Sequence, residues 1–166
     1  MKFSSRTVEE IAADGFTHRL EFSVSDITAG LANNATMFVN TSPLPVLKAG
    51  MVVKRTAVYL NPAFSDASDA AFNSTTLSIG DAGSATRFIN AVQININGTE
   101  VITSFPGTEN TIYTANSQMS ITLTPLTGKS CSDLDLGAFY ALFAIENFAD
   151  PAKKQAFGGP GTDTGR

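Results

Sequence analysis

Histidine and cysteine, the side chains that most often carry nucleophilic or metal chemistry, occur once each in this chain, as His18 and Cys131. A Ser-His-Asp hydrolase would have to use His18 as its base, yet this residue begins a stretch of ordinary strand-like alternation. Zinc sites draw their ligands from clustered cysteines and histidines. We therefore expect no catalytic residue, no metal site and no disulfide within the chain.

The carboxylates also lack the spacing that chemistry requires. They include the pair Glu9 and Glu10, the turn residues Asp66, Asp69 and Asp81, and the pair Asp133 and Asp135. Calcium takes roughly six to eight oxygen ligands, and the three turn aspartates match no calcium loop. The segment Gly80 to Gly83 lacks the lysine of a phosphate-binding loop. We interpret these carboxylates as solvated side chains and expect no cofactor.

The chain is acidic, with 166 residues and a formal net charge of −4. Its 11 lysines and arginines are scattered, whereas a nucleic-acid interface needs clustered cations that displace counterions. The N-terminal residues contain no apolar run of signal-peptide length, and no stretch approaches the roughly 20 apolar residues of a membrane helix. We expect one soluble domain, made in the cytosol, that binds neither nucleic acid nor membrane.

Alternating apolar and polar residues predict a series of short β-strands. The predicted strands are Thr17–Ser25, Thr36–Asn40, Met51–Leu60, Thr75–Ile79, Val92–Ile96, the edge-like run Asn110–Ala115, Met119–Leu123 and Leu136–Glu146. Strands of this length and spacing, separated by Gly, Pro and Asn turns, are typical of antiparallel sandwiches. The fold class is therefore all-β, an antiparallel β-sandwich of which a jelly roll is one form.

The stretch Leu136–Glu146 is the most apolar part of the sequence and is ambiguous by periodicity alone. Phe139 and Phe143 share one parity, whereas Tyr140 and Leu142 share the other. A helix beginning near Ser132 and Asp135 is the alternative to a strand. Since aromatic and β-branched residues dominate, we favour a strand buried on both faces.

Several segments between the strands carry turn signals. Asn97-Gly98 predicts a two-residue hairpin that places Ile94 opposite Val101. Gly80 to Gly83 predicts a turn, after which Ser84 is expected to cap one helical turn through Arg87 and Phe88. Pro62 to Ala71 reads as a loop or as a short helix capped by Asn61.

The two ends of the chain are poorer in packing residues than its centre. Residues 1–15 are predicted to form an N-terminal arm with one helical turn, in which Thr7 and Glu10 form a capping box. Residues 16–149 form the sandwich. Residues 150–166 contain Gly158-Gly159-Pro160-Gly161 and form a flexible tail, or one that only a partner orders.

The run Val52 to Ala91, VVKRTAVYLNPAFSDASDAAFNSTTLSIGDAGSATRFINA, resembles the small β-rich structural proteins that decorate or cement the heads of tailed bacteriophages. The resemblance covers roughly a quarter of the chain strongly and about two-thirds loosely. It implies a β-sandwich that forms a homotrimer or lies at subunit junctions. It also implies that the major capsid protein is the partner and that the virion is the location, after assembly in the host cytoplasm.

Under this resemblance the chain is a non-enzymatic binding protein. Candidate self-association or capsid contacts come from the apolar strand and the tail, and they are Phe139, Tyr140, Leu142, Phe143 and Phe157. Two other functions stay open: a different virion component, such as a head-tail connector or fibre base, and a carbohydrate-binding sandwich module. Sugar sites usually stack their ligand on aromatic rings, and this chain has no Trp and only three Tyr, at positions 59, 113 and 140.

Overall fold

The computed structural model describes residues 2–27, 37–38, 46–69, 75–94, 103–105, 112–125 and 128–148. The strands are β1 (Lys2–Ser5), β2 (His18–Ser23), β3 (Met37–Phe38), β4 (Val46–Leu47), β5 (Met51–Leu60), β6 (Thr76–Asp81), β7 (Ser84–Gln93), β8 (Thr103–Phe105), β9 (Ser117–Thr124) and β10 (Ala138–Asn147), and the helix α1 spans Val8–Asp14. Short 3-10 turns occur at Val24–Asp26 and Cys131–Asp133.

The strands form two antiparallel sheets, which confirms the predicted all-β sandwich. The first sheet has the order β1-β2-β10-β5-β8, and the second has the order β3-β9-β6-β7 with β4 also paired to β9. Leu20 and Phe22 of the first sheet pack with residues of the second, such as Ile79 and Ile121, in one hydrophobic core. The jelly-roll form stays a prediction.

Strand β10 is the predicted strand that is buried on both faces. Its backbone pairs with β2 on one side and with β5 on the other, so the alternative of a helix in this segment is wrong. Phe139 and Phe143 face the core between the sheets. Leu142 is buried on the opposite face, where it packs with Phe16 and Ala57.

The hairpin of β6 and β7 confirms the predicted turn but not the helical turn after it. Asp81 Oδ1 accepts hydrogen bonds from the backbone N–H groups of Gly83 and Ser84, each at 2.9 Å. This geometry directs the chain back along β6, and Ser84 begins strand β7. Phe88 and Ile89 are both buried, because the hairpin register shifts between Leu77 and Ile79 and again before Asp81.

The predicted capping box of α1 is confirmed. The Thr7 backbone N–H donates to Glu10 Oε2 at 2.9 Å, and the Glu10 N–H donates to Thr7 Oγ1 at 3.3 Å. The helix ends at Gly15, whose φ of 77° is left-handed. Before the helix, Lys2–Ser5 pairs with β2, so part of the predicted arm is a strand of the first sheet. The boundaries between arm, sandwich and tail stay predictions.

Other predictions concern loops. Of the two alternatives predicted for Pro62 to Ala71, the loop is confirmed over the described residues 62–69 and the short helix is wrong there. Ser65 of this loop makes an isolated bridge to Leu136. The loop is held by backbone pairing instead of by an Asn61 cap. The Asn97-Gly98 hairpin and the tail of residues 150–166 lie outside the described residues.

The approach of Gly137 to Phe64 generates a stability prediction. Gly137 has a φ of +145°, and an added Cβ would lie 2.4 Å from two carbons of the Phe64 ring. Gly128 also has a positive φ, of +90°, but no described atom lies within 4 Å of its added Cβ. Gly128→Ala should cost about 1–2 kcal/mol of unfolding free energy through backbone strain, and Gly137→Ala about 1–3 kcal/mol more through overpacking. Urea denaturation of both variants measures the difference, and equal losses would contradict the close packing at Gly137.

Candidate interaction face on the outer side of the first sheet

His18 has a structural place in the ladder of the first sheet. It pairs with Ser5 of β1 and Phe143 of β10, and its Nδ1 lies 2.7 Å from the Thr17 hydroxyl. That hydroxyl oxygen also accepts the backbone N–H of Ile145 at 2.9 Å, at the point where the register of β10 with β5 shifts. Burial lowers the pKa of His18. The residue supports the strand junction, as the alternation around it indicates.

The carboxylates also serve structural contacts. Asp81 is buried, forms an ion pair with Arg87 Nε at 2.6 Å and accepts a hydrogen bond from the Tyr113 hydroxyl. Asp66 accepts from the Ser68 hydroxyl at 2.6 Å and from the Ser68 N–H at 2.7 Å, and these bonds lower its pKa. Asp69 pairs with Lys129. Asp66 and Asp81 are buried and not solvated as predicted. The hydrogen bonds of Asp81 close the β6–β7 turn.

In the described part of the chain, no three His, Cys, Asp or Glu residues come together in a way that could hold a metal ion. Cys131 is buried, and its thiol donates to the Leu123 carbonyl at 3.7 Å. Burial is the main cause that raises the pKa of this thiol to about 11, and the charge of Asp133 adds to it. A neutral, enclosed thiol is a poor nucleophile and a poor metal ligand.

The predicted contact residues separate into two groups in the structure. Phe139 and Phe143 are 2% and 0% exposed and belong to the core of the single chain. Leu142 is covered by Phe16 on the outer face. Tyr140 is half-buried on that outer face, and it alone of these four offers surface to a partner. Phe157 lies outside the described residues.

Tyr140 is the centre of a stack that crosses three strands. In the sheet register it lies between Glu21 of β2 and Tyr59 of β5. The rings of Tyr59 and Tyr140 are parallel to within 9°, with their centroids 4.8 Å apart. The guanidinium of Arg19 lies 4.4 Å from the Tyr140 centroid, and Arg19 Nε is 3.1 Å from Glu21 Oε1. We call Arg19, Glu21, Tyr59 and Tyr140 the contact face.

A second set of contacts stiffens the sheet beside the contact face. The Arg55 guanidinium lies 4.1 Å from the centroid of the Phe16 ring and donates to the Asp14 carbonyl. Arg6 Nη1 donates to Asp14 Oδ1 at 2.6 Å, and this bond is the main cause that lowers the pKa of Asp14. Phe16 in turn covers Ala57. The segment after α1 is thereby fixed to the outer face of the sheet.

A cleft of about 360 Å³ opens at one end of the contact face. It is lined by Arg19, Glu21, Phe22, Ser23, Asp26, Asn61, Ala138, Phe139 and Tyr140. Asp26 Oδ2 accepts the Ser23 backbone N–H at 2.9 Å, so its carboxylate is held at the wall of the cleft. Its lining combines two carboxylates and one guanidinium with the aromatic residues Phe22, Phe139 and Tyr140.

Sequence reasoning missed Arg19 and Tyr59 as members of this site. Both residues lie in correctly predicted strands, at alternate positions whose side chains point away from the core. This alternation is the sequence signal that could have identified them. What the sequence does not give is the register of three strands that are distant in the chain. Only the register places Arg19 and Tyr59 on the two faces of one ring.

The burial of His18 predicts a pH dependence. In the folded chain, the pKa of His18 lies below its ordinary value of 6.5. As the pH falls below 6.5, the unfolded chain therefore binds the proton before the folded chain does, and the free energy of unfolding decreases. The loss should continue down to the folded-state pKa. In His18→Asn, chemical denaturation between pH 7 and 5 should show a smaller loss of unfolding free energy than in the wild type. The same slope in both proteins would contradict this assignment.

The burial of Cys131 predicts slow thiol labelling. In native protein at pH 8, a disulfide reagent should modify Cys131 only at the rate of unfolding, because the thiol is enclosed and has a pKa of about 11. In 6 M guanidinium the labelling should be complete within the mixing time. Fast labelling of the native protein would show that the thiol is open to solvent.

Within the described residues, no helix is long and apolar enough to cross a membrane. No protein family model matches the chain, and no curated protein matches it. Among solved structures, the chain is similar to one from the "Cyanophage Pam1 capsid asymmetric unit", with 22% sequence identity and a TM-score of 0.48. The match covers 75% of this chain and 78% of the other.

Proposed function

We propose that this protein is a non-enzymatic structural protein of a bacteriophage virion, a decoration or cement protein. It binds the major capsid protein at the head surface as a homotrimer, after assembly in the host cytoplasm. The sequence resemblance of Val52 to Ala91 supports this function, and that stretch supplies β5, β6 and most of β7. The contact face is the structural observation that carries the proposal.

The contact face has the properties of a protein-binding surface. Tyrosine and arginine are the residues most enriched among interface hot spots, together with tryptophan. Tyr140 is held between Arg19 and Tyr59, so its side chain has little conformational freedom left to lose when a partner binds. A partner would contact ring edges and hydroxyls that the sheet already holds in position.

The fold and the roles of the polar residues support binding without catalysis. The two sheets share one core, and a rigid body of this kind can transmit load between neighbouring subunits. His18 and Asp81 are engaged in structural contacts. Each bound copy stabilises the assembled shell by mass action, since a ligand that binds only the assembled state shifts the equilibrium toward it.

The stack also distinguishes the proposed function from sugar binding. A sugar ring stacks on the free face of an aromatic side chain, but Arg19 and Tyr59 cover the two faces of Tyr140. Tyr113 is half-buried, and its hydroxyl donates to Asp81. At Tyr140 and Tyr113, these contacts favour a protein partner over a sugar. The remaining alternative is another virion component, such as a head-tail connector or a fibre base.

The copy number and position of the protein in purified particles test the function. Quantitative mass spectrometry of particles from the phage that encodes this chain should give one protein copy for each major capsid protein or a simple fraction of that number. Antibody labelling should decorate the whole head. Label confined to the head-tail junction or fibres would establish the alternative component, and absence from particles would overturn the proposal.

The stack of the contact face predicts the effect of two substitutions at one position. Tyr140→Ala removes the ring between Arg19 and Tyr59. It should raise the concentration at which the trimer dissociates by at least about tenfold, as expected for an interface hot spot. Tyr140→Phe keeps the ring and should assemble within about threefold of the wild type. Sedimentation velocity over a concentration series measures both. Unchanged assembly of Tyr140→Ala would exclude this face from self-association.

A further inference from the structure

A trimer with closed threefold symmetry requires two different surfaces on each copy, because an isologous contact of one surface with itself produces a twofold pair. The contact face and its cleft supply one surface. The second surface must lie elsewhere on the same copy, and its assignment rests on the trimer of the proposed function.

The opposite end of the sandwich carries an exposed apolar and basic patch. We call Lys48, Ala49, Ile112 and Phe148 the end patch. Lys48 and Ala49 are exposed in the turn before β5, and Ile112 and Phe148 are 53% and 42% exposed. Large apolar side chains exposed together are typical of interaction sites.

Backbone hydrogen bonds hold the end patch together. The Gly50 N–H donates to the Tyr113 carbonyl at 2.8 Å, and the Phe148 N–H donates to the Gly50 carbonyl at 2.8 Å. Ile112 and Phe148 are thereby brought to the same turn. The Lys54 ammonium lies 5.4 Å from the centroid of the Phe148 ring and 3.8 Å from Glu146, which fixes the ring at the surface.

The end patch and the cleft lie at opposite ends of β5. The strand begins at Met51, directly after the turn, and ends at Leu60, beside the cleft residue Asn61. Ten strand residues span roughly 33 Å. A contact that joins these two surfaces is therefore heterologous. It closes into a ring of three copies where each copy is rotated by about 120° relative to the one before it, and it forms an open filament where the rotation does not close.

The charges of the two surfaces are complementary. Lys48 is an exposed cation. The lining of the cleft contains two carboxylates, Glu21 and Asp26, and one cation, Arg19, which already pairs with Glu21. The apolar residues also match, because Phe148 and Ile112 would meet the ring of Tyr140, which is half-buried at the cleft.

We infer that the end patch of one copy docks in the cleft and contact face of a second copy of this chain. Lys48 approaches the carboxylates of Glu21 and Asp26, and Phe148 packs on Tyr140. Repetition of this contact around three copies closes the trimer and leaves no unpaired end patch or cleft.

Charge reversal tests the contact directly. Lys48→Glu and Glu21→Lys should each raise the concentration at which the trimer dissociates by at least about tenfold, as for close interfacial charge pairs. The double variant Lys48→Glu/Glu21→Lys should recover most of that loss, because the charges are again opposite across the interface. Glu9→Lys, at an exposed position of α1, is the matched control and should assemble as the wild type does. Circular dichroism establishes that each variant is folded.

Each outcome decides the inference. The inference is supported if both single variants assemble more weakly than the wild type and the double variant recovers assembly. A wild-type trimer that either single substitution fails to weaken, or a double variant that does not recover, overturns the contact but leaves the proposed function intact. A wild type that stays monomeric at every concentration overturns the contact as well, and the location of the protein in particles then decides the proposed function separately.

Discussion

The structure depends on the pairing of β10 with β2 on one side and with β5 on the other. Because β10 lies between two neighbouring strands, the side chains on its two faces have different surroundings. Phe139 and Phe143 fill the core between the sheets, while Tyr140 and Leu142 face outward. A central strand with large side chains on both faces needs cover on the outer side as well, because exposed apolar area is costly in water.

The chain covers that outer side unevenly. Phe16 lies over Leu142 and Ala57, and it is held there by Arg55 and by the contacts of Asp14. At the Tyr140 end the cover consists of a flat stack of two rings and a guanidinium, which keeps its edges exposed. The same requirement that makes β10 stable therefore leaves a rigid aromatic surface at one end. A surface of this kind suits a subunit whose neighbours complete its burial.

Features of the fold that depend on local sequence patterns could be predicted. Features that depend on which strands pair, and in which register, could not. The alternation in β2 locates that strand, the β-branched and aromatic residues of β5 and β10 favour strands there, and Thr7 with Glu10 locates the cap of α1. Most of strand β7 was missed, and the predicted strand Val92–Ile96 overlaps only its last two residues. Ser84 is a good local cap signal, whereas the strand forms through its pairing with β6 and with shifts in register. The candidate site was predicted at Tyr140 alone, because Arg19 and Tyr59 join it through a register that no local signal encodes.

The central claim is that the outer face around Tyr140 is covered when the protein assembles. Hydroxyl-radical footprinting of Tyr59 and Tyr140, read by mass spectrometry in dilute and in concentrated protein, measures this cover directly, with the exposed residue Val8 as an internal reference. The account predicts that oxidation of both tyrosines falls on assembly while that of Val8 stays constant. Oxidation of Tyr140 that does not change between monomer and assembled protein would contradict it.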